Sequence, residues 1–246
     1  MNQTIGRDVE YLHEGTRLLG RVVAPRNGAA DNSAAVLLLH DAFGIGDELT
    51  GNATRIAEAG HPVFVADLWG ERATPTSGSE IGPLIGAMAQ DRDRWRGRVA
   101  AAHSALDAQP ELAGRPLVLL GYCFGGSSAI EYLRTGAHVA GVAAVHPGLD
   151  LLDDDWSTPG SGSVLLMIGA DDPMASPALR RRVEEHLKAA GIDHQLHLYS
   201  GTTHAFTSRR AAGSPESGLF AHNARSAARA WAATTGFLAE LSAPAS

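Results

Sequence analysis

Gly121-Tyr122-Cys123-Phe124-Gly125 places the only cysteine of the chain between two glycines, in a G-x-C-x-G pattern. Residues 117–120 before it form a short apolar run that is typical of a buried strand, and residues 126–133 after it can form a helix. A reactive side chain on a sharp strand-to-helix turn is called a nucleophile elbow, here with sulfur in place of the usual oxygen. The stretch therefore predicts an α/β fold that carries a nucleophilic thiol.

The same buried-strand pattern recurs along the chain, with stretches long enough for helices in between. Buried strands are predicted at residues 36–39, 63–66, 117–120, 139–145 and 164–168, and helices at residues 48–59, 80–108, 127–134, 177–190 and 219–241. This alternation predicts a mostly parallel central sheet with helices on both faces. Residues 17–23 are predicted to pair antiparallel with their neighbours, and residues 194–199 to form a last strand nearer the edge.

Length and composition indicate one globular α/β domain over residues 1–246. Hydrophobic residues make up 44% of the chain and charged residues 19%, which is ordinary for a protein with a large core. A net charge of −7 argues against nucleic acid as a partner. One cysteine forms no internal disulfide, and no apolar segment approaches a membrane span. We expect a cytoplasmic protein without membrane contact, as a monomer or small homo-oligomer that acts on a small molecule.

Cys123 gains reactivity from its predicted place at the start of a helix. There the sulfur projects from the sheet and the helix N-terminus stabilises its thiolate. The first amide of the helix, on Phe124, would point at a developing oxyanion. A buried structural cysteine is the alternative. The glycine spacing and the flanking strand and helix match together, which favours the nucleophile.

A cysteine nucleophile needs a base, and the base needs an acid that orients it. In α/β-hydrolase topology the nucleophile comes first in the chain, the acid second and the histidine third. Asp171 and Asp172 follow the predicted strand at residues 164–168, at the end where such folds place functional groups. We predict Asp172 as the acid and keep Asp171 in reserve. The alternative is that both make only turn hydrogen bonds.

His204 is the predicted base. Five of the eleven histidines follow the acid in the chain. His186 is expected on a helix, His194 and His197 within the last strand, and His222 on the C-terminal helix. His204 lies in the loop after the last strand, from which a side chain can reach the thiol. A structural histidine is the alternative for this position.

The loop at residues 40–44 follows the first buried strand, where hydrolases of this topology place a second oxyanion donor. The amide of Ala42 is the candidate. We expect no cofactor and no metal. The aspartates at residues 153–155 lack the ligand spacing of a calcium loop, and the spacing of His194 and His197 sends their side chains to opposite faces of a strand.

In these residues the chain resembles the dienelactone hydrolase family, also called carboxymethylenebutenolidases. The matching segments cover nearly the whole chain in the right order: His40-Asp41-Ala42-Phe43-Gly44, Ala66-Asp67-Leu68-Trp69-Gly70, Gly121-Tyr122-Cys123-Phe124-Gly125-Gly126, Gly169-x-x-Asp172-Pro173 and Gly201-x-x-His204-Ala205-Phe206. The resemblance implies an α/β-hydrolase fold and a triad of Cys123, Asp172 and His204. Such a triad opens a lactone or an activated ester through a thioester.

The resemblance also implies residues around the triad. Well-studied members carry a glutamate at the position of Asp41 that keeps the resting thiol protonated, and the side chain here is one methylene shorter. Members of the dienelactone type grip the substrate carboxylate with arginines. The candidates for that role are Arg92, Arg94, Arg96, Arg98, Arg209 and Arg210.

Two classes of function remain open at the level of sequence. The first is a thiol hydrolase that acts on small lactones or esters, with a broad carboxylesterase as the variant of this idea. The second is a hydrolase-like protein that binds a ligand or senses oxidants through Cys123 without hydrolysis. A second cysteine that could resolve a sulfenic acid is missing from the chain, which counts against a dedicated sensor.

Overall fold

The computed structural model describes residues 3–214 and 216–242, which form eight strands and six α-helices. The strands are β1 (Thr4–His13), β2 (Thr16–Pro25), β3 (Ala35–Leu39), β4 (Val63–Ala66), β5 (Leu117–Tyr122), β6 (His138–Val145), β7 (Ser161–Gly169) and β8 (His194–Tyr199). The helices are α1 (Asp47–Glu58), α2 (Gly78–Gln90), α3 (Arg92–Asp107), α4 (Phe124–Arg134), α5 (Pro177–Ala189) and α6 (Ala224–Ser242).

The strands form one sheet in the order β1-β2-β4-β3-β5-β6-β7-β8. β1 and β2 pair antiparallel, as do β2 and β4, whereas β3 with β4, β6 with β7 and β7 with β8 pair parallel. Non-consecutive neighbours require crossover connections, and helices supply them. The predicted α/β fold with a mostly parallel sheet is confirmed, and so is the antiparallel pairing predicted for residues 17–23.

Contacts divide the chain into two compact units, one from residues 1–119 and 238–246 and one from residues 120–237. The first unit contains β1 to β4, and every residue of β3 and β4 is buried. The apolar strands align in register, with Val36 opposite Val63 and Leu38 opposite Val65. Burial on both faces explains why these strands are continuous apolar runs rather than alternating ones. That the chain is a single domain stays a prediction.

The second unit contains β6, β7 and β8 with α4 and α5. In β7 the six residues from Val164 to Gly169 are buried, whereas β8, at the end of the strand order, is only partly buried. β6 and β7 align with Val142 opposite Val164. The carboxyl ends of these parallel strands therefore lie at one edge of the sheet, where loops can bring side chains together.

The bounds of the predicted helices differ from the structure by one to three residues in three cases and by more in the other two. The segment predicted as one helix at residues 80–108 is two helices, because Asp91 ends α2 and its side chain caps α3 by accepting a hydrogen bond from Arg94 N. The helix predicted at residues 219–241 begins only at Ala224. His222, expected on that helix, lies before it, because residues 219–221 pair with the loop of His204 instead.

In the part of the chain that the structure describes, no helix has the length and apolar character needed to cross a membrane.

Candidate active site

Cys123 occupies the turn between β5 and α4, with φ 51° and ψ −117°. This positive φ is strained for a residue with a side chain. The glycines around it are required by close packing: a Cβ on Gly121 would overlap the carbonyl of Gly125, and a Cβ on Gly126 would lie 3.1 Å from Cβ of Pro147. Cys123 N donates to Val145 O at the end of β6, over 3.0 Å. The structure thus has the strand, sharp turn and helix that the G-x-C-x-G pattern predicts.

Asp172 lies just beyond the end of β7 and is 2% exposed. Its two carboxylate oxygens have different partners. Oδ1 accepts a hydrogen bond of 2.9 Å from Met174 N, which caps the short 3-10 turn Pro173–Ala175, and Oδ2 lies 2.8 Å from Nδ1 of His204. A carboxylate only accepts, so Nδ1 carries the proton and donates it to Asp172. The orientation of the His204 ring is thereby fixed.

His204 lies in the loop after β8 and is fully buried. Its backbone is held by the segment that follows in the chain, because its N–H donates to Leu219 O over 3.0 Å and its carbonyl accepts from Ala221 N over 3.3 Å. The other ring nitrogen, Nε2, lies 3.1 Å from Sγ of Cys123. The structure therefore brings Cys123, His204 and Asp172, the three residues proposed from the sequence, into one hydrogen-bonded line.

Opposing effects act on the pKa of His204, the middle residue of this line. Burial on its own would lower the pKa of His204, because it disfavours the imidazolium. The electrostatic interaction with Cys123 and the hydrogen bonds to Asp172 and Cys123 act in the opposite direction and outweigh it, so the pKa of His204 is raised to about 10. At neutral pH the ring is positively charged, and it holds that charge between a sulfur and a carboxylate.

A second buried histidine contacts the ring of His204. His146 follows directly after β6 and lies with its ring centroid 5.3 Å from that of His204. On another side, the ring of Phe220 lies 5.8 Å from that of His204. The sequence analysis missed both residues, although a polar residue at the carboxyl end of a buried strand is a signal that could have indicated His146.

Asp41 and Ala42 lie on the loop after β3, as expected. The carboxylate of Asp41 accepts a hydrogen bond from Phe43 N at 2.8 Å, and the carbonyl of Ala42 accepts one from Nε1 of Trp69 at 3.2 Å. Gly44 has φ 76°, and a Cβ there would overlap the carbonyl of Ala73. These contacts give the loop a fixed shape. The oxyanion roles of Ala42 and Phe124 and the thiol-modulating role of Asp41 stay predictions.

Two of the arginines considered as substrate clamps, Arg96 and Arg98, have other partners. Arg98 is 2% exposed and donates to the backbone carbonyls of Leu68 and Trp69. Arg96 pairs with Asp93 on the surface of α3. Arg209 and Arg210 are exposed in a short 3-10 turn after the His204 loop. No carboxylate-binding role is assigned to any of them.

No group of three or more His, Cys, Asp or Glu within residues 3–214 and 216–242 is arranged to hold a metal ion. The aspartates at residues 153–155 are used in local turns, since Asp153 Oδ1 accepts from Asp155 N and Asp155 Oδ1 from Ser157 N. His194 and His197 both lie within β8. That the reaction needs no metal and no cofactor stays a prediction.

Comparison with known proteins gives the family. A family model described as the dienelactone hydrolase family matches residues 19–242. The crystal structure of a dienelactone hydrolase-like promiscuous phosphotriesterase from metagenomic libraries is 29% identical with a TM-score of 0.89, covering 97% of this chain and 99% of that one. A dienelactone hydrolase from Anabaena variabilis shares the fold at 16% identity, with a TM-score of 0.66 over 97% of this chain and 98% of that one.

A curated relative, the hydrolase tropI of Talaromyces stipitatus, is 35% identical over 88 residues. That match covers 35% of this chain, and it spans only a third of the relative's own length. The family model, by contrast, matches residues 19–242, a range that includes Asp41, Cys123, Asp172 and His204. The chain belongs to the dienelactone hydrolase family, a family of hydrolases.

Proposed function

We propose that the protein hydrolyses small lactones or activated carboxylic esters through a thioester on Cys123. The observation that carries the proposal is the continuous line from the Asp172 carboxylate through both nitrogens of His204 to the sulfur of Cys123. In this line the nucleophile contacts a base, and the base contacts a group that orients it, which is the arrangement that covalent acyl transfer needs.

In the first half of the proposed reaction the thiolate of Cys123 attacks the carbonyl carbon of the substrate. A C–S bond forms, and the carbonyl π electrons move to oxygen. The oxyanion is stabilised by the amides of Phe124 and Ala42, in the roles proposed from the sequence. When the tetrahedral intermediate collapses, the C–O bond to the leaving group breaks, and Nε2 of His204 gives its proton to the departing oxygen.

In the second half, Nε2 of His204 takes a proton from water as the water oxygen attacks the thioester carbonyl. The C–S bond then breaks, the thiolate returns, and a carboxylic acid leaves. His204 ends protonated and the acid product ionises. Throughout, Asp172 keeps Nδ1 protonated, so that Nε2 always faces the sulfur. General acid–base catalysis of this kind contributes about 10²- to 10⁴-fold to a rate.

The raised pKa of His204 matters most for the start of the reaction. A positively charged ring beside Cys123 favours the thiolate, and the thiolate is the nucleophilic form of cysteine. The elbow supports the same state, because α4 begins at the next residue and its N-terminus carries partial positive charge. We propose that this positive charge assists formation of the thiolate that attacks the substrate.

Among substrates, we propose a neutral ester or lactone ahead of an anionic dienelactone. A substrate carboxylate that loses its water on binding must be paired with a cation, because burying it unpaired is costly. Arg98, the most buried of the candidate arginines, already donates to two backbone carbonyls. A neutral ester needs no such partner.

Phosphotriesters are the second candidate substrate class. The metagenomic relative, 29% identical over nearly the whole chain, is described as a promiscuous phosphotriesterase. A thiolate can also attack phosphorus and expel an aryloxide, which would leave a phosphorylated Cys123. A neutral phosphotriester therefore belongs beside esters and lactones in any substrate panel.

The test compares wild type with Cys123→Ala on p-nitrophenyl acetate, a neutral butyrolactone, an anionic dienelactone and a diethyl aryl phosphate. We expect Cys123→Ala to lose turnover of every substrate that wild type accepts. His204→Asn should behave in the same way, whereas the matched control His197→Asn, on β8, should keep the wild-type rate. Circular dichroism of each variant checks the fold.

Wild-type turnover by Cys123→Ala would refute the thiol mechanism. The non-hydrolytic alternative makes a different prediction. If Cys123 only senses oxidants, peroxide modifies it while none of the four substrates is turned over by wild type.

A further inference from the structure

His146 stands at the junction of all three elements that carry the proposed triad. It follows β6, and its neighbour Val145 accepts the hydrogen bond from Cys123 N. Its own N–H donates to Met167 O on β7, over 2.8 Å. The side chain is 2% exposed, so its ring is part of the interior.

The ring of His146 is enclosed by aromatic neighbours. The ring centroid of His204 lies 5.3 Å away with the planes at 66°, and that of Phe206 lies 5.2 Å away with the planes at 79°. Tyr122, the residue before the elbow cysteine, is 6.0 Å away. Edge-to-face contacts of this kind fix the planes of the rings relative to each other. His146 therefore contacts the ring of His204 and also packs against Tyr122, the last residue of β5 before Cys123.

One hydrogen bond connects His146 to the loop of His204. Its Nε2 lies 2.7 Å from Oγ1 of Thr207, three residues beyond His204. Its Nδ1 is buried and has no partner in the part of the chain that the structure describes. A buried N–H without an acceptor costs more than a bare lone pair, so we place the proton on Nε2, which donates to Thr207.

A single tautomer requires a neutral ring, and the pKa of His146 is consistent with that. Burial, and after it the positive charge of His204, hold the pKa of His146 well below its ordinary value. The ring is therefore neutral beside the imidazolium of His204. Two neighbouring positively charged rings would repel each other. Of this pair, only His204 therefore takes part in proton transfer.

The backbone of His146 is unusual as well. Its φ is 41°, in the left-handed region that residues with side chains seldom adopt. Such strain persists only where the surroundings enforce it, and it concentrates at functional sites. If this fully buried position served only packing, an apolar residue would stabilise the fold more, because it leaves no polar atom unpaired.

We propose that His146 is a positioning residue, which holds His204 so that Nε2 points at the sulfur of Cys123. It does so through ring contact and through its hydrogen bond to Thr207. The proposal rests on the proposed function, since it assigns a means of aligning that same base. His146 itself contacts neither substrate nor the reacting atoms in this assignment.

The reaction rate should be sensitive to the alignment of His204 with Cys123. The contact between His204 and Cys123 is 3.1 Å, and proton transfer requires a hydrogen-bonded geometry in each half of the reaction. Misplacement of a reacting group by about 1 Å can cost about 10²-fold in rate. A loop that carries its base on a turn, rather than within a strand, depends on such a tether.

The test begins at Thr207, because a change there leaves the buried ring in place. Thr207→Val removes the hydroxyl at nearly constant shape, and Thr207→Ser keeps it. We expect Thr207→Val to lower kcat by about 10-fold with KM within about 2-fold of wild type, and Thr207→Ser to restore kcat. His146→Asn keeps a residue suited to this backbone but removes the ring, so we expect a loss of about 10²-fold.

The two changes should not add, because they act on one tether. The double variant His146→Asn with Thr207→Val should be no slower than His146→Asn alone. Alkylation of Cys123 by iodoacetamide at neutral pH gives a readout that needs no turnover. We expect slower alkylation in Thr207→Val than in Thr207→Ser, because a displaced imidazolium stabilises the thiolate less well.

Results that overturn the proposal are separate from those that overturn the hydrolase mechanism. Equal kcat and equal alkylation rates in wild type, Thr207→Val and Thr207→Ser would refute the positioning role and leave the mechanism standing. Full activity of Cys123→Ala would refute the mechanism instead, whatever the Thr207 variants do. If His146→Asn fails to fold, the Thr207 pair still decides.

Discussion

The two units of the chain each bury an aspartate and a histidine just after parallel strands, and they use them differently. In the first unit, Asp67 follows β4 and His40 follows β3, and both are essentially unexposed. Asp67 accepts four backbone N–H groups, from Leu19, Trp69, Gly70 and Arg72. His40 also bonds only to backbone, through Asp41 O and Leu68 N. These hydrogen bonds of Asp67 and His40 fix the shape of the two loops that follow β3 and β4.

In the second unit, one carboxylate oxygen of Asp172 accepts from the backbone at Met174 N, whereas the other oxygen and both ring nitrogens of His204 contact side chains. One oxygen of Asp172 holds His204, and His204 passes the contact on to Cys123. The residue types, the burial and the position after a strand are the same as in the first unit. The difference lies in the hydrogen-bond partner. A buried polar group that bonds to backbone stabilises the fold. A buried polar group that bonds to a polar side chain beside a reactive residue is available for chemistry.

The largest expected effect comes from Asp172→Asn. The asparagine amide can donate to Nδ1 and thereby turn the proton to the wrong nitrogen of His204, so we expect kcat to fall by about 10²- to 10⁴-fold. Steady-state kinetics on an activated ester measure this loss, with urea unfolding as the check on the fold. A loss of less than about 3-fold would show that Asp172 does not have the proposed role in catalysis.

The same substitution in the first unit, Asp67→Asn, should have the reverse profile. Two of the four backbone N–H groups lose their acceptor, and the charge that strengthened the others is gone. We expect the free energy of unfolding to fall by about 2–6 kcal/mol, because each of the two unsatisfied buried groups costs about 1–3 kcal/mol. Urea unfolding measures the change, and kcat well below the unfolding temperature should stay within about 3-fold. If Asp67→Asn lost activity as Asp172→Asn does, the contrast between the units would be wrong.

The protonation of His204 gives a pH-dependent effect on stability. Its folded pKa, about 10, lies above the ordinary 6.5. A raised folded pKa stabilises the fold fully below about pH 6.5, and this stabilisation is lost as the pH rises through about 10. The difference in unfolding free energy between wild type and His204→Gln should therefore shrink between these pH values. Urea titrations at about pH 6, 8 and 10 measure it, and a difference that stays constant would contradict the raised pKa.

Asp171→Asn should have the smallest effect. Asp171 was the reserve candidate for the acid, but its side chain is exposed, whereas that of Asp172 contacts His204. We expect kcat and stability within about 2-fold and about 0.5 kcal/mol of wild type, as for an ordinary surface position. A large loss of activity here would mean that the acid was chosen wrongly between the two neighbours.

The three residues of the line were within reach of the sequence because each follows a strand and the chain order of the topology sorts the candidates. His146 was not, since it precedes the acid in the chain, and its contact with His204 is a property of folding rather than of spacing. Residues 219–221 were assigned to a helix because their pairing with the His204 loop is equally non-local. The break at Asp91 is different, because aspartate is a favoured N-cap and the sequence itself carries that signal.

The cytoplasmic location and the monomer or small homo-oligomer stay predictions. The hydrolase family is established, and the chemistry within it is the proposal that experiment can decide.

The most direct test of the central claim is mass spectrometry of the protein quenched in acid during turnover of p-nitrophenyl acetate. If Cys123 is the nucleophile, part of the protein gains one acetyl group, the peptide that contains Cys123 carries it, and hydroxylamine removes it as expected for a thioester. His204→Asn should accumulate less of this adduct, and Cys123→Ala none. Turnover at the wild-type rate with no acetyl group on Cys123, or with the group on another residue, would contradict the account.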